Sequence, residues 1–233
     1  MPAYSPLDAV LFVALPYASV LLFLVGTIMR YRRRPFSYSS LSSQFLENRH
    51  HFWAEVPFHY GILVVLAGHF VGFLIPRAVL AWNSVPLRLY VLEGTALVFA
   101  VLAFVGIVNI VVRRLKSPKA RRVTSPTDWI LYGLLVVQIS TGLHTATSET
   151  WGSSWFAAVL SPYLWGLVTF SPDPSLVAPF SWTVKTHIVG LWALLAFFPF
   201  TRLVHVLVIP NPYLWRRPQV VRWYGIRRLA RKA

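Results

Sequence analysis

Residues 56–76 read VPFHYGILVVLAGHFVGFLIP, and residues 183–210 read TVKTHIVGLWALLAFFPFTRLVHVLVIP. Each stretch is long and apolar enough to cross a bilayer core of about 30 Å, which takes roughly 20 helical residues. Each also carries two histidines: His59 and His69 in the first, His187 and His205 in the second. An ionisable side chain at membrane depth is costly, so it faces a bundle interior or a cavity and marks a site. Two such pairs on two spans set the terms for the rest of the chain.

Outward from these stretches, three more runs qualify as spans. The predicted set is Asp8 to Met29, Val56 to Pro76, Arg88 to Val112, Asp128 to Ala146 and Thr183 to Ile209. None shows the alternation of polar and apolar residues that a membrane barrel requires. The fold class is therefore all-α, an integral membrane bundle of five transmembrane helices. With 56% hydrophobic and 12% charged residues and a mean hydropathy of +0.58, no soluble alternative competes. The chain reads as one domain over 1–233, with an outer loop at 148–182 and a basic tail at 210–233. The apolar, aromatic segment WFAAVLSPYLWGLVTF in that loop either lies along the outer interface or caps the bundle.

The net charge of +15 raises nucleic acid as a partner, but its placement excludes it. Nineteen of the 22 Lys and Arg fall in the first-to-second and third-to-fourth connections, at Arg202, and in the tail. Only Arg77, Arg88 and Lys185 fall at the opposite end. By the positive-inside rule the N-terminus is outside and the C-terminus inside. The first span lacks a basic start and is too long for a signal core, so it is expected to stay. There is no cysteine, which removes iron–sulfur clusters, thiolate ligation, disulfides and covalent haem attachment from this chain.

His187 and His205 are 18 residues apart, so on a straight helix they share one face about 27 Å apart along the axis. His59 and His69 are separated by 10 residues, roughly 15 Å of rise and about 80° of rotation. When the two spans run antiparallel, His59 matches His205 in depth at the inner end, and His69 matches His187 at the outer end. Two facing imidazoles supply both axial ligands of a haem iron, and two pairs supply two haems of b type. The unequal separations require tilted helices or haem planes. Gly61, Gly68, Gly72 and Gly190 flank the ligands and either admit a flat macrocycle or serve close helix packing. Of the remaining histidines, His50 and His51 lie in the basic connection, solvated or against a partner. His144 lacks a depth-matched mate and either lines a quinol pocket or makes an interfacial hydrogen bond.

At these residues the chain resembles the gamma subunit family of respiratory nitrate reductases, dihaem membrane cytochromes b. The resemblance rests on SSQFLENRHHFWAEVPFHYGILVVLAGHFVG (42–72), RRLKSP (113–118), FPFTRLVHVLVIPNPYL (198–214) and the ligand intervals of 10 and 18 residues. It implies that His69 and His187 hold the iron of an outer, distal haem and that His59 and His205 hold the proximal one. It implies quinol oxidation near the distal haem and electron transfer to an iron–sulfur subunit and a molybdenum-cofactor catalytic subunit. The place implied is the inner cell membrane. It also implies a basic residue at the quinol site near the start of the third span, where this chain offers Arg88, about two positions displaced.

Glu93, a turn inside the third span, is either an acceptor of a quinol proton or an interfacial acid. Arg202, three residues before His205, either pairs with a haem propionate or anchors the inner end. Two rivals stand beside this reading. One is a related cytochrome b serving formate, chlorate, selenate or nitrite chemistry. The other is a haem-free anchor whose histidines only join helices. A transporter is not favoured, because the sequence shows no repeated half or paired broken helices.

Overall fold

Serine and proline fix where the helices begin. In the computed structural model, which describes residues 4–34, Ser37 and 51–208, the first helix, α1 (Pro6–Arg33), starts behind Ser5. The Ser5 hydroxyl accepts from the Asp8 N–H while the Asp8 carboxylate accepts from the Ser5 N–H. This reciprocal cap satisfies two otherwise orphaned donors, and proline at the first helical position is tolerated because its missing N–H is not needed there. The same Ser-Pro-x-Asp logic opens α4 (Pro126–Ser148) at Ser125 and Asp128. Between them stand α2 (His51–Leu74) and α3 (Pro86–Lys116), and α5 (Trp182–Phe197) begins at a Ser181 cap.

Among the described residues these five helices are long and apolar enough to cross a membrane, as the sequence predicts. They extend a turn or so beyond the apolar cores, because caps rather than hydropathy end a helix. Arg49, His50, Ile209 and the 210–233 tail, all named above, lie outside the described residues, as does the side chain of His51.

In lipid, apolar burial gives little drive for helix association, so close backbone approach and interhelical hydrogen bonds decide the packing. α2 lies against α3, α3 against α4, α4 against α5, and α5 against α1. A side chain at Gly61 would sit 2.4 Å from the Ala103 nitrogen, and one at Gly106 would sit 2.3 Å from the Phe58 nitrogen. Glycine on both helices is what lets α2 and α3 cross so closely.

Proline supplies the second device. Pro57 has no N–H for the Trp53 carbonyl one turn back, and the Asn109 amide of α3 donates to it at 3.1 Å. Pro16 and Pro76 repeat the arrangement: Tyr163 donates to the Phe12 carbonyl at 2.7 Å, and Ser161 donates to the Gly72 carbonyl at 2.7 Å. Each proline thus converts an orphaned carbonyl into a bond between separate segments. Replacing Asn109 with leucine leaves the Trp53 carbonyl without that donor. The expected cost is about 1 kcal/mol, read as a lower thermal midpoint in detergent.

The 148–182 segment caps the end of the bundle opposite the arginines. It contains helices Gly152–Trp155 and Ser161–Val168 joined by a π-helical stretch, Phe156–Leu160. Its Leu160, Tyr163, Leu167 and Val177 form a buried cluster with Phe12 of α1 and with Val184, Ile188 and Trp192 of α5. A second cluster joins Ala54, Ala103, Ile107 and Ile110 to Leu131, Leu135 and Ile139. The capping alternative holds, and the segment is helical rather than an irregular loop.

The fifth span departs from the sequence reading. It is not one helix to Ile209: α5 ends at Phe197, a 3-10 turn covers Phe198–Phe200, Thr201 is extended, and a second 3-10 segment runs Arg202–Val208. Pro199 cannot carry the helical hydrogen bonding through, and Thr201 starts the new segment by accepting from the Leu203 N–H at 3.1 Å. Arg30 of α1 donates to the freed carbonyls of Pro199 and Thr201 at 2.7 and 2.8 Å. Gly26 is the room Pro199 needs, since a β-carbon there would lie 2.9 Å from its ring. His187 and His205 are therefore not on one straight helix.

Candidate functional site

The broken fifth span still brings the four histidines into two facing pairs. The His69 and His187 ring centroids are 6.3 Å apart, and those of His59 and His205 are 6.4 Å apart. The pairing is the one depth matching predicts. The bend at Pro199 and Thr201, rather than a tilt of two straight helices, reconciles intervals of 10 and 18 residues. Two imidazoles hydrogen-bonded to each other in line would bring their centroids to about 5 Å. A metal bonded at about 2 Å to each facing nitrogen spaces the centroids at a little over 6 Å. Both pairs have the wider spacing.

The ring nitrogens are ordered in a way that suits ligation. His59 Nδ1 lies 2.7 Å from the Glu55 carbonyl, His69 Nδ1 2.8 Å from the Val65 carbonyl, and His205 Nδ1 2.6 Å from the Arg202 carbonyl. A carbonyl only accepts, so each Nδ1 carries the proton and each Nε2 presents its lone pair. His187 reaches the same state differently. Its Nδ1 lies 3.0 Å from the Gln138 carbonyl of α4, and the Thr141 hydroxyl is 3.2 Å away. The Gln138 amide nitrogen is 3.4 Å from His187 Nε2, a long contact. Metal-bound histidine characteristically donates its second N–H to such an acceptor. Among the described residues no cluster of three or more His, Asp or Glu holds a metal, so two-ligand centres are what this chain offers.

The flanking glycines divide by role. A β-carbon on Gly68, next to His69, meets nothing within 4 Å, which leaves the open face a flat ring system needs. Gly61 instead serves the crossing with α3, Gly72 admits the Phe156 ring, and Gly190 admits the Gln138 amide. The macrocycle alternative therefore fits one of the four, and the packing alternative the other three. Phe156 has its own part at this site, meeting the His69 ring edge-on at 5.3 Å.

Arg202 points elsewhere than a propionate. Its guanidinium forks onto Asp128, with Nε to Oδ1 and Nη2 to Oδ2 both at 2.7 Å, and Nη2 also donates to the Val123 carbonyl. The carboxylate is the nearly buried cap of α4, so the anchoring alternative is the one the side chain adopts. Arg113 and Arg114, read from sequence as orienting charges, are buried. Arg113 approaches Glu55 at 4.0 Å, and Arg114 donates to the Ala120 carbonyl and the Thr124 hydroxyl.

The two quinol-site candidates sit at the end opposite the arginines. Arg88 is exposed and lies over Trp82 at 5.2 Å from the ring centroid. Glu93 is half-buried and accepts from both the N–H and the hydroxyl of Ser153, at 2.8 and 2.7 Å. Ser153 stands one turn before Phe156, which links Glu93 by a short path to the His69 ring. His144 is exposed, contacts Ser148 at 3.3 Å, and lines an open apolar groove of about 500 Å³ between α3 and α4.

Residues that the sequence reading passed over carry much of this geometry: Glu55, Gln138, Thr141, Gly142 and Phe156. A signal for three of them existed. Gln138, Thr141 and Gly142 form a polar and small stripe at helical spacing within an apolar span, the pattern by which membrane helices meet polar partners.

Comparison with known proteins agrees with this geometry. The family model for the nitrate reductase gamma subunit matches residues 8–224. The nitrate reductase gamma chain of Bacillus subtilis is 33% identical over 212 residues, covering 89% of this chain and 95% of that one. The respiratory nitrate reductase 1 gamma chain of Escherichia coli is 32% identical over 212 residues, covering 89% and 93%. This multi-pass helical membrane protein therefore belongs to the nitrate reductase gamma subunit family, whose members are the membrane subunit of an oxidoreductase complex, respiratory nitrate reductase.

Proposed function

We propose that this chain is a dihaem cytochrome b that oxidises quinol and delivers the electrons to an iron–sulfur subunit, which supplies a molybdenum-cofactor catalytic subunit. The observation that carries the reading is the pair of facing imidazole couples, 6.3 and 6.4 Å between centroids, with every Nδ1 beside a backbone carbonyl. His59 and His205 hold one haem iron toward the arginine-rich end, and His69 and His187 hold the other toward the opposite end. Bound haem supplies one-electron redox chemistry, and the protein sets its potential through ligands, hydrogen bonds and burial.

In this reading the N-terminus is outside, the arginine-rich end faces the cytoplasm, and the membrane is the inner cell membrane. Quinol gives up two electrons and two protons at the outer side. Nitrate takes up two electrons and two protons in the partner to give nitrite and water. Protons appear on one side and vanish on the other, so the reaction charges the membrane without a proton channel. Arg88 would orient the quinol, and Glu93 would take a proton from it.

The test is an optical redox titration of the purified, haem-loaded chain. The expected result is a reduced b-type spectrum, about two haems per chain, and two one-electron steps. A chain that carries no b-type haem in that titration is a helical anchor and nothing more.

A further inference from the structure

We infer that α4, which contributes no haem ligand, sets the orientation of His187, with Gly142 and Thr141 as positioning residues for that one centre. The inference rests on the dihaem reading above. Its physical basis is a difference among the four histidines. His59, His69 and His205 each present Nδ1 to a carbonyl three or four residues earlier in their own segment. Their orientation is local and travels with the backbone that bears them. His187 alone presents Nδ1 to a carbonyl on a different helix, that of Gln138 at 3.0 Å.

Thr141 completes the cradle. Its hydroxyl donates to the Val137 carbonyl at 2.8 Å, and its lone pair lies 3.2 Å from His187 Nδ1. Gly142 makes the approach possible, since a β-carbon there would sit 2.7 Å from His187 Cε1 and 3.3 Å from Nδ1. The imidazole therefore fits only while α4 and α5 keep their present spacing and position 142 has no side chain. Gly190 holds the other side of the same contact: a β-carbon there would lie on the Gln138 carboxamide oxygen.

The consequence is selective. A change on α4 moves the ring or removes its acceptor at the His69–His187 centre and leaves the His59–His205 centre untouched. Loss of an outer-sphere partner of a ligating histidine typically costs 10–100-fold in affinity for the bound group. If such a loss bears on one oxidation state tenfold more than on the other, the one-electron midpoint shifts by 59 mV.

The experiment compares Gly142→Ala, Thr141→Val and Gly133→Ala with the unaltered haem-loaded chain. Each is read by haem-to-protein ratio, optical redox titration and the paramagnetic resonance of the oxidised haems. Gly133 is the control, because it lies on the same helix and a β-carbon there meets nothing within 4 Å. Gly142→Ala is expected to retain one haem unchanged and to bind the other 10–100-fold more weakly. Thr141→Val is expected to keep both haems while one midpoint moves. Gly133→Ala is expected to match the unaltered chain in every readout.

Both haems unchanged in Gly142→Ala, or both altered alike, overturns the inference. Should Gly142→Ala fail to assemble, Thr141→Val decides: one midpoint displaced upholds the inference, and neither displaced overturns it. Absence of haem from the unaltered chain is a separate result and sinks the dihaem reading itself.

Discussion

Replacing His205 with alanine is expected to leave one haem of the two and to stop electron flow out of the chain. His205 pairs with His59, and it sits on the 3-10 segment held at the arginine-rich end by Arg30 and Arg202. In the proposed function this is the centre next to the iron–sulfur partner. Quinol-driven nitrate reduction by the assembled complex should therefore fall by at least about 100-fold, a floor set by what outer-sphere changes alone cost. A small reducing dye that feeds the catalytic partner directly should still support nitrate reduction, because that route bypasses the altered centre.

The pairing itself is tested by combining substitutions. Joint loss of His59 and His205 should be no worse for haem content than either alone, since both serve one iron. Joint loss of His69 and His205 should remove both haems. Groups that act as a unit are non-additive, whereas independent sites add. Haem counts that add for His59 and His205 would disprove the shared centre. Full quinol activity in the His205 variant would turn the account toward a passive anchor.

Replacing Asp128 with alanine is expected to be the most destabilising single change to a polar group in the fold. Asp128 is 2% exposed, caps α4 through Ser125, and receives the two-pronged guanidinium of Arg202 at 2.7 Å. Removing one partner of a buried pair strands the other charge and costs about 3–5 kcal/mol. The loss is structural at first, seen as a lower thermal midpoint in detergent.

It should also reach the haem. Arg202 opens the turn that carries His205, and its own carbonyl is the acceptor for His205 Nδ1. The spectrum of the His59–His205 centre should therefore broaden or its occupancy fall, while the other centre holds. Arg202→Lys should restore little, because an ammonium cannot reproduce the two parallel bonds of the guanidinium fork. An Asp128→Ala chain as stable as the unaltered one would show that the pair is merely an inner-surface contact.

The five spans were legible because lipid leaves a chain few choices. Backbone polar groups must bond within each segment, and the segment must be long and apolar. The pairing of His59 with His205 and of His69 with His187 was legible for a related reason. A helix rises by a fixed step, so residue counts from a charged boundary become depths. The ends of the helices were less legible, since Ser5 with Asp8, Ser125 with Asp128 and Ser181 set them by local caps that hydropathy does not register. Pro199 stood in plain view, yet counting 18 residues as a straight helix overlooked that it interrupts the span.

What the sequence alone determined is thus the set of crossings, the arginine-rich end, and which imidazoles share a depth, because each follows from composition and rise along a single chain. What only the tertiary structure decided is how those imidazoles are aimed. That depends on carbonyls which Pro57, Pro76 and Pro199 release to donors far along the chain, on whether Arg202 meets Asp128 or a ligand, and on the space Gly142 leaves for His187. These are contacts between segments at distances of a few ångströms, and no count along one helix specifies them.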